Sequence, residues 1–298
     1  MAKRVKKYRV GQRSTLDIVI AVILGFMTLA AVFPFYQVVL LSFADMASYA
    51  KHPLYLLPYC FDLTGYKTIF EDPMFFTSLG VTLFITLVGT SLNMFLSVMG
   101  AYVLSRKYLM GRKVILNLII FTMLFNGGLI PTYLVIKNLK LVNTVWAMIL
   151  PCGISTYYLI IMKNYFMSLP DSLLEAARLD GANEWSILTR VVLPISVPFM
   201  ATFILFYAVE RWNEWYLANL YINKSALYPL QTYLRNVLIS MSNTLNDIAK
   251  QFMQGHAKVN STAVQMATIV VATVPILCVY PFVQRHFVKG VMVGGIKE

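Results

Sequence analysis

Apolar residues in this chain fall in long, nearly unbroken runs, separated by short polar segments. Six runs reach the length of about 20 residues that a helix needs to cross a hydrocarbon core of about 30 Å. They are Leu16–Phe43, Phe76–Leu104, Val114–Ile136, Thr144–Tyr165, Val191–Leu217 and Thr262–Val283. None alternates apolar and polar positions as barrel strands do. The pattern predicts an all-α, polytopic membrane protein with six transmembrane helices. Pro34, Pro131, Pro151, Pro198 and Pro275 interrupt five of the runs, which lipid-embedded helices tolerate when neighbouring groups take up the freed carbonyls.

The first run follows Lys3, Arg4, Lys6, Lys7, Arg9 and Arg13. It is too long for the apolar region of a signal peptide and lacks a small-residue cleavage site, so it is expected to remain as the first span. With the N-terminus inside, the inner segments hold sixteen of the Lys and Arg residues and the outer ones nine. That bias predicts two cytoplasmic termini, in agreement with an even number of spans. The expected organisation is a basic tail over 1–15, a permease domain over 16–284 and a cytoplasmic tail over 285–298. Within the domain lie a cytoplasmic loop at 166–194 and an extracellular loop at 218–260. An earlier outer segment, Ala44–Phe75, carries Pro53, Pro58 and Pro73 and reads as irregular. Leu234, Leu238, Met241, Leu245 and Ile248 recur at helical spacing and predict an amphipathic helix over Thr232–Gln254.

Composition agrees with the pattern. Apolar residues make up 58% of the 298 residues and charged ones 13%, against about 25% charged in soluble domains; the mean hydropathy is +0.67. Disorder is excluded. The net charge of +12 sits in segments between spans, with no basic and aromatic groove for nucleic acid. Cys60, Cys152 and Cys278 are too scattered for a disulfide framework or metal site. No GxSxG, HExxH, CxxC or Walker A pattern is present, and no metal ligation or enzyme activity is expected of the chain itself. Glu210, Arg211 and Glu214 form the one ionisable group near a span end. Arg211 and Glu214 have the spacing of a helical pair, and the group reads either as a charged belt or as part of a polar path.

The cytoplasmic stretch Ser168-Leu-Pro-Asp-Ser-Leu-Leu-Glu-Ala-Ala-Arg-Leu-Asp-Gly-Ala-Asn predicts two short helices meeting at a tight turn. Ser168 is a candidate cap with Pro170 in the first turn, Gly181 is placed to end the first helix, and Asn183 to cap the second. Its pattern Glu175-Ala176-Ala177, three residues, Gly181, nine residues, Val191-x-Leu193-Pro194 resembles the EAA signature of ATP-binding-cassette importer permeases; Val191 stands where that family usually has Ile. Asn126-Gly-Gly-Leu-Ile-Pro-Thr-Tyr133, Leu159-Ile-Ile-Met162, Trp212-Asn-Glu214, Tyr228-Pro-Leu-Gln231 and Phe287-Val-Lys-Gly290 extend the resemblance over nearly the whole chain. They narrow it to the carbohydrate branch, nearest to permeases for complex or uronate-containing oligosaccharides of Gram-positive bacteria.

That resemblance implies a type I importer fold in the plasma membrane and an oligosaccharide substrate. It also implies a heterodimer with a second permease, two cytoplasmic ATPase subunits and an extracellular solute-binding lipoprotein. ATP and Mg would be used by the ATPase, with no cofactor on this chain. Glu175, Ala176, Ala177, Asp180, Gly181, Leu193 and Pro194 would form the coupling segment. Path candidates are Asn93, Asn117, Asn126, Tyr133, Tyr157, Tyr158 and Glu214, each of which also reads as an interhelical bond or packing aromatic. Tyr228, Gln231 and Arg235 are candidates for docking the binding protein. Importers of a peptide or polyamine, or an ion-coupled secondary transporter, are the alternatives; the last would favour inverted repeats and ionisable residues at the midplane.

Overall fold

A computed structural model describes residues 15–45, 48, 51–52, 55–240, 262–275 and 277–278. Most of the expected tails, and most of the predicted outer helix beyond residue 240, lie outside the described residues. In chain order the helices are α1 (Thr15–Leu41), α2 (Thr64–Glu71), α3 (Pro73–Ser105), α4 (Arg112–Leu124), α5 (Leu129–Asn138) and α6 (Trp146–Ile149). Then come α7 (Thr156–Ser168), α8 (Asp171–Leu179), α9 (Glu184–Ile187), α10 (Leu193–Ile195), α11 (Val197–Trp212) and α12 (Tyr216–Tyr221). A helix over 230–240, α13, and α14 (Thr262–Pro275) complete the series. No strand occurs among the described residues.

Two helices, from Asp17 to Leu41 and from Pro73 to Ser105, are each long and apolar enough to span a membrane alone. Three further spans are broken. The α4 and α5 axes meet at 113°, the segment Trp146–Cys152 meets α7 at 47°, and Glu184–Ile195 meets α11 at 87°. Counting each bent pair as one span gives up to five among the described residues. The continuous runs Val114–Ile136, Thr144–Tyr165 and Val191–Leu217 are therefore not straight helices. The first breaks at residues 125–128, where Gly128 has φ +89° and ψ 174°, a conformation essentially confined to glycine that costs other residues about 1–3 kcal/mol. Pro131 sits in the first turn of α5, where its missing N–H costs no helical bond. Pro34, by contrast, lies inside α1 with no interruption.

The chain divides into two compact units, one taking residues 1–68 and 247–270, the other 69–246 and 271–298. In the first unit, α1 is exposed along its length, as a helix facing lipid would be. Its C-terminal end is tied down by Tyr36, whose hydroxyl donates to the Leu56 carbonyl at 2.9 Å, and by the Ser42–Tyr66 hydroxyl pair at 2.7 Å. The expected irregular loop over 44–75 contains α2, because Asp62 accepts from the Thr64 backbone N–H at 2.9 Å and so starts a helix.

In the second unit α3 is the central element, started by Asp72, whose carboxylate accepts from Met74 N–H at 2.9 Å, with Pro73 in its first turn. Its buried face packs on α7 and α11. Ala101, Tyr102, Leu159, Met162, Phe166, Phe203 and Tyr207 share one core, and that same core takes in Leu174 of α8 with Ile187, Leu188 and Val192 of the hairpin that follows. The hairpin over residues 171–192 is thus packed into the same interior as the spans.

Candidate functional site

The hairpin is built by local capping. Leu169 precedes Pro170 and is extended, as a residue before proline tends to be. That ends α7, and Ser168 belongs to the end of α7: its hydroxyl donates back to the Tyr165 carbonyl at 2.8 Å. The expected Ser168 cap is corrected accordingly, since α8 starts at Asp171. At the other end Gly181 has φ +81°. The Gly181 N–H donates to the Arg178 carbonyl and the Ala182 N–H to the Ala177 carbonyl, both at 3.0 Å, which is the double bond of a Schellman turn. Asn183 then accepts from the Ser186 N–H at 2.8 Å and starts α9. A π-helical turn over Leu188–Val192 follows. It widens the backbone where the ring of Pro194 would meet the carbonyl four residues earlier.

Burial sorts the hairpin into two faces. Leu174 is 4% exposed and Ile187 fully buried, while Glu175, Ala176, Asp180, Gly181 and Pro194 are exposed and Ala177 and Leu193 half-buried. Leu173 and Leu179 are also exposed, so Leu173, Ala176 and Leu179 recur at three-residue spacing on the open side of α8. Glu184 ties the hairpin to α3 by accepting from the Tyr102 hydroxyl at 2.6 Å, and holds α8 to α9 by accepting from Arg178 at 3.1 Å. Burial works against the Glu184 charge, but hydrogen bonds from Tyr102, Tyr108 and Arg178 outweigh it and hold its carboxyl below the ordinary range. Lys107 reaches Asp171 at 2.9 Å and lowers that carboxyl too.

Six of the seven path candidates separate into three groups. Asn93 is fully buried. Its amide N–H groups donate to the Cys152 and Gly153 carbonyls and its oxygen accepts from Arg211 at 3.0 Å, so it has no surface to offer a solute. Tyr157 and Tyr158 lie at the start of α7, Tyr157 exposed and Tyr158 half-buried. The Tyr158 hydroxyl donates to Glu210 at 2.6 Å, and its ring packs on Phe203, Phe206 and Tyr207. Asn117 and Asn126 are exposed on the α4–α5 arm. There Asn126 accepts from the Gly128 N–H at 2.9 Å, and Tyr133 stacks on Tyr221 with centroids 5.9 Å apart.

Arg211 does not pair with Glu214. It is 3% exposed and donates to Asn93, to the Met148 carbonyl at 2.8 Å and to the Cys152 carbonyl at 2.6 Å. A Cβ on Gly89 would lie 3.0 Å from Arg211 Cδ, so that glycine makes room for the buried side chain. Arg211 and Asn93 together satisfy the carbonyls freed where the α6–α7 span breaks. Glu214 instead accepts from the Leu217 N–H at 2.8 Å at the start of α12. The sequence singled out Glu210, Arg211 and Tyr158 but not the partners they take in the structure, and no local motif signalled Glu184.

Two of the three docking candidates, Gln231 and Arg235, meet at the end of α11. Gln231 Nε2 lies 3.4 Å from Asn213 Oδ1, and exposed Arg235 covers the Trp215 ring at 4.1 Å. Tyr228 packs beside Ile85, Met148 and Ala218. The segment is anchored behind them by the Leu230 N–H, which donates to Thr82 at 2.7 Å, and by Tyr233, whose hydroxyl donates to Asp72 at 2.7 Å.

Comparison with known proteins covers nearly the whole chain. The family model for the inner membrane component of binding-protein-dependent transport systems matches residues 14–293. Protein LplC of Bacillus subtilis is 44% identical over 281 residues, 94% of each chain. The polygalacturonan/rhamnogalacturonan transport system permease YtcP of the same organism is 43% identical, covering 94% of this chain and 98% of its own. Among solved structures, a chain of a bacterial ABC transporter involved in import of the acidic polysaccharide alginate superposes with TM-score 0.85 at 32% identity. That alignment covers 93% of this chain and 99% of the other.

Proposed function

Because the chain belongs to the family of inner-membrane components of binding-protein-dependent transport systems, we propose that it moves uronate-containing oligosaccharides into the cell, with α8 as the helix through which separate ATPase subunits drive it. The observation that carries this is the division of α8. Leu174 is locked into the core shared by α3, α7 and α11, while Glu175, Ala176, Leu173 and Leu179 face outward. A partner moving the open face moves the spans with it, because packed helices shift as units. An apolar and acidic helix face of this kind suits a groove on another protein.

The relatives support the substrate class: one transports polygalacturonan and rhamnogalacturonan, another structure imports alginate, and each of these polymers carries uronates. Tyr157, the Tyr158–Glu210 pair, Tyr133, Asn126, Asn117 and Glu214 offer aromatic faces and hydrogen-bonding groups of the kind sugars engage. Tyr228, Gln231 and Arg235, the last of them stacked on Trp215, would meet the extracellular binding protein. The working assembly has a second permease as heterodimeric partner, two ATPase subunits that use ATP and Mg, and six spans with both termini in the cytoplasm of a Gram-positive cell.

Glu175→Lys tests the coupling assignment in proteoliposomes holding the full importer. If Glu175 meets a basic group partly shielded from water, truncation costs about 2–5 kcal/mol and charge reversal more. Uptake of labelled uronate oligosaccharide and stimulated ATP hydrolysis should then fall together, by about tenfold or more, and Glu175→Ala should lie between. Near-normal rates for Glu175→Lys with the ATPase fully bound would reduce α8 to an ordinary surface helix.

A further inference from the structure

Arg106 follows the last residue of α3 and has its side chain 9% exposed, yet its Nε has no hydrogen-bond partner among the described residues. The guanidinium lies 4.0 Å above the Tyr102 ring. Its nearest carboxylate oxygen, Glu184 Oε2, is 4.0 Å away, beyond hydrogen-bonding distance, and accepts instead from the Tyr102 hydroxyl at 2.6 Å. A buried cation so incompletely paired is costly, and a guanidinium is suited to take up a carboxylate through two parallel bonds. It lines a cleft of about 180 Å³ whose other walls include Lys107, Asp171, Glu175 and Arg178. One wall is therefore α8 itself.

We propose that this cleft receives an acidic side chain of the docked ATPase subunit, with Arg106 as the buried anchor of that contact. The proposal rests on α8 being the coupling helix and adds a second contact beside Glu175. The charges favour a single carboxylate over a phosphate group. Lys107 is already paired with Asp171 at 2.9 Å and Arg178 with Glu184 at 3.1 Å, so Arg106 is the cation of the cleft wall whose nearest carboxylate stands off at 4.0 Å. The open face of α8, with Leu173 and Leu179 exposed, places the mouth of the cleft where the ATPase would sit.

The test uses the reconstituted importer with its ATPase subunits. Arg106→Gln should weaken retention of the ATPase by about tenfold or more and flatten its dependence on salt; Arg106→Glu should be worse and Arg106→Lys milder. With Arg106→Lys, a water-soluble carbodiimide should form an amide between the new amine and the facing ATPase carboxylate, with loss of water, and peptide mapping should locate that carboxylate. An adduct confined to Glu184 or Asp171 of the same chain would overturn the proposal. So would unchanged ATPase retention in Arg106→Gln accompanied by weaker binding of anionic phospholipid, which would make the cleft a headgroup site. Should Arg106→Gln fail to fold, the cross-link in Arg106→Lys decides. Glu175→Lys run in parallel separates the two ideas: loss there without loss in Arg106→Gln removes only the anchor, and loss in neither removes the coupling assignment as well.

Discussion

Replacing Arg211 by Met keeps an unbranched apolar stem, shortens the side chain by the guanidinium and removes its charge and all five donors. Three bonds disappear, to Asn93, Met148 and Cys152. The Cys152 carbonyl keeps its bond from Asn93, but the Met148 carbonyl and the Asn93 oxygen lose the guanidinium donor. Bonds involving a charged partner contribute about 1.5–3 kcal/mol each, and desolvating the cation offsets part of that, so a net loss of about 3–5 kcal/mol is expected, as for other broken buried polar pairs. For a chain of this size about 2–4 °C of melting temperature goes with each kcal/mol, which predicts a fall of about 6 °C or more in detergent. The assay is the melting temperature of the purified complex followed by fluorescence-detected gel filtration. Arg235→Met is the control: Arg235 is exposed and stacks on Trp215 at 4.1 Å, a contact worth about 0.5–1 kcal/mol. Equal melting temperatures for the two variants would refute the idea that Arg211 holds the broken span together.

Two further outcomes follow from the hairpin. Gly181→Val should weaken α8 by about 1–2 kcal/mol through its positive φ alone, since a Cβ there meets nothing within 4 Å; Gly181→Asn should be milder, and faster amide exchange at Asp180–Ala182 reports the effect. Glu184 has its pKa depressed in the folded chain, so its contribution is present above the ordinary carboxylate range near about 4.3 and is lost as pH falls through the depressed value. Melting curves of the wild type and Glu184→Gln should therefore differ at neutral pH and converge on acidification, and a constant difference down to pH 3 would show that Glu184 carries no such linkage.

How much of this was legible in the sequence depends on the range of the interactions. The apolar runs located the spans because lipid imposes one requirement on every position. The hairpin was legible in detail because its determinants lie within six residues of one another: Gly181 with its positive φ, the Ala182–Ala177 bond and the Asn183 cap. Ser168 misled for a local reason too, since Pro170 fixes the extended Leu169 and hands Ser168 to the helix before it.

The breaks in the spans were only half legible. Prolines marked five candidate sites, but Pro34 leaves α1 continuous, and the sharp bend near Pro131 sits at the glycines before it. A helix can break in lipid only where other groups take the freed carbonyls, so the decisive residue is the donor that answers them. For the α6–α7 break those donors are Asn93 and Arg211, 59 residues from the Cys152 carbonyl in each direction. Arg211 therefore reads in sequence as the partner of Glu214, three positions away, and in the structure as the partner of a backbone. A buried arginine in a span with a carboxylate one turn along should accordingly be checked against the nearest helix break before it is assigned to an ion pair. Here that change of partner also frees Glu214 to bond the Leu217 N–H and begin α12, at the same end of α11 where Gln231 meets Asn213 and Arg235 meets Trp215.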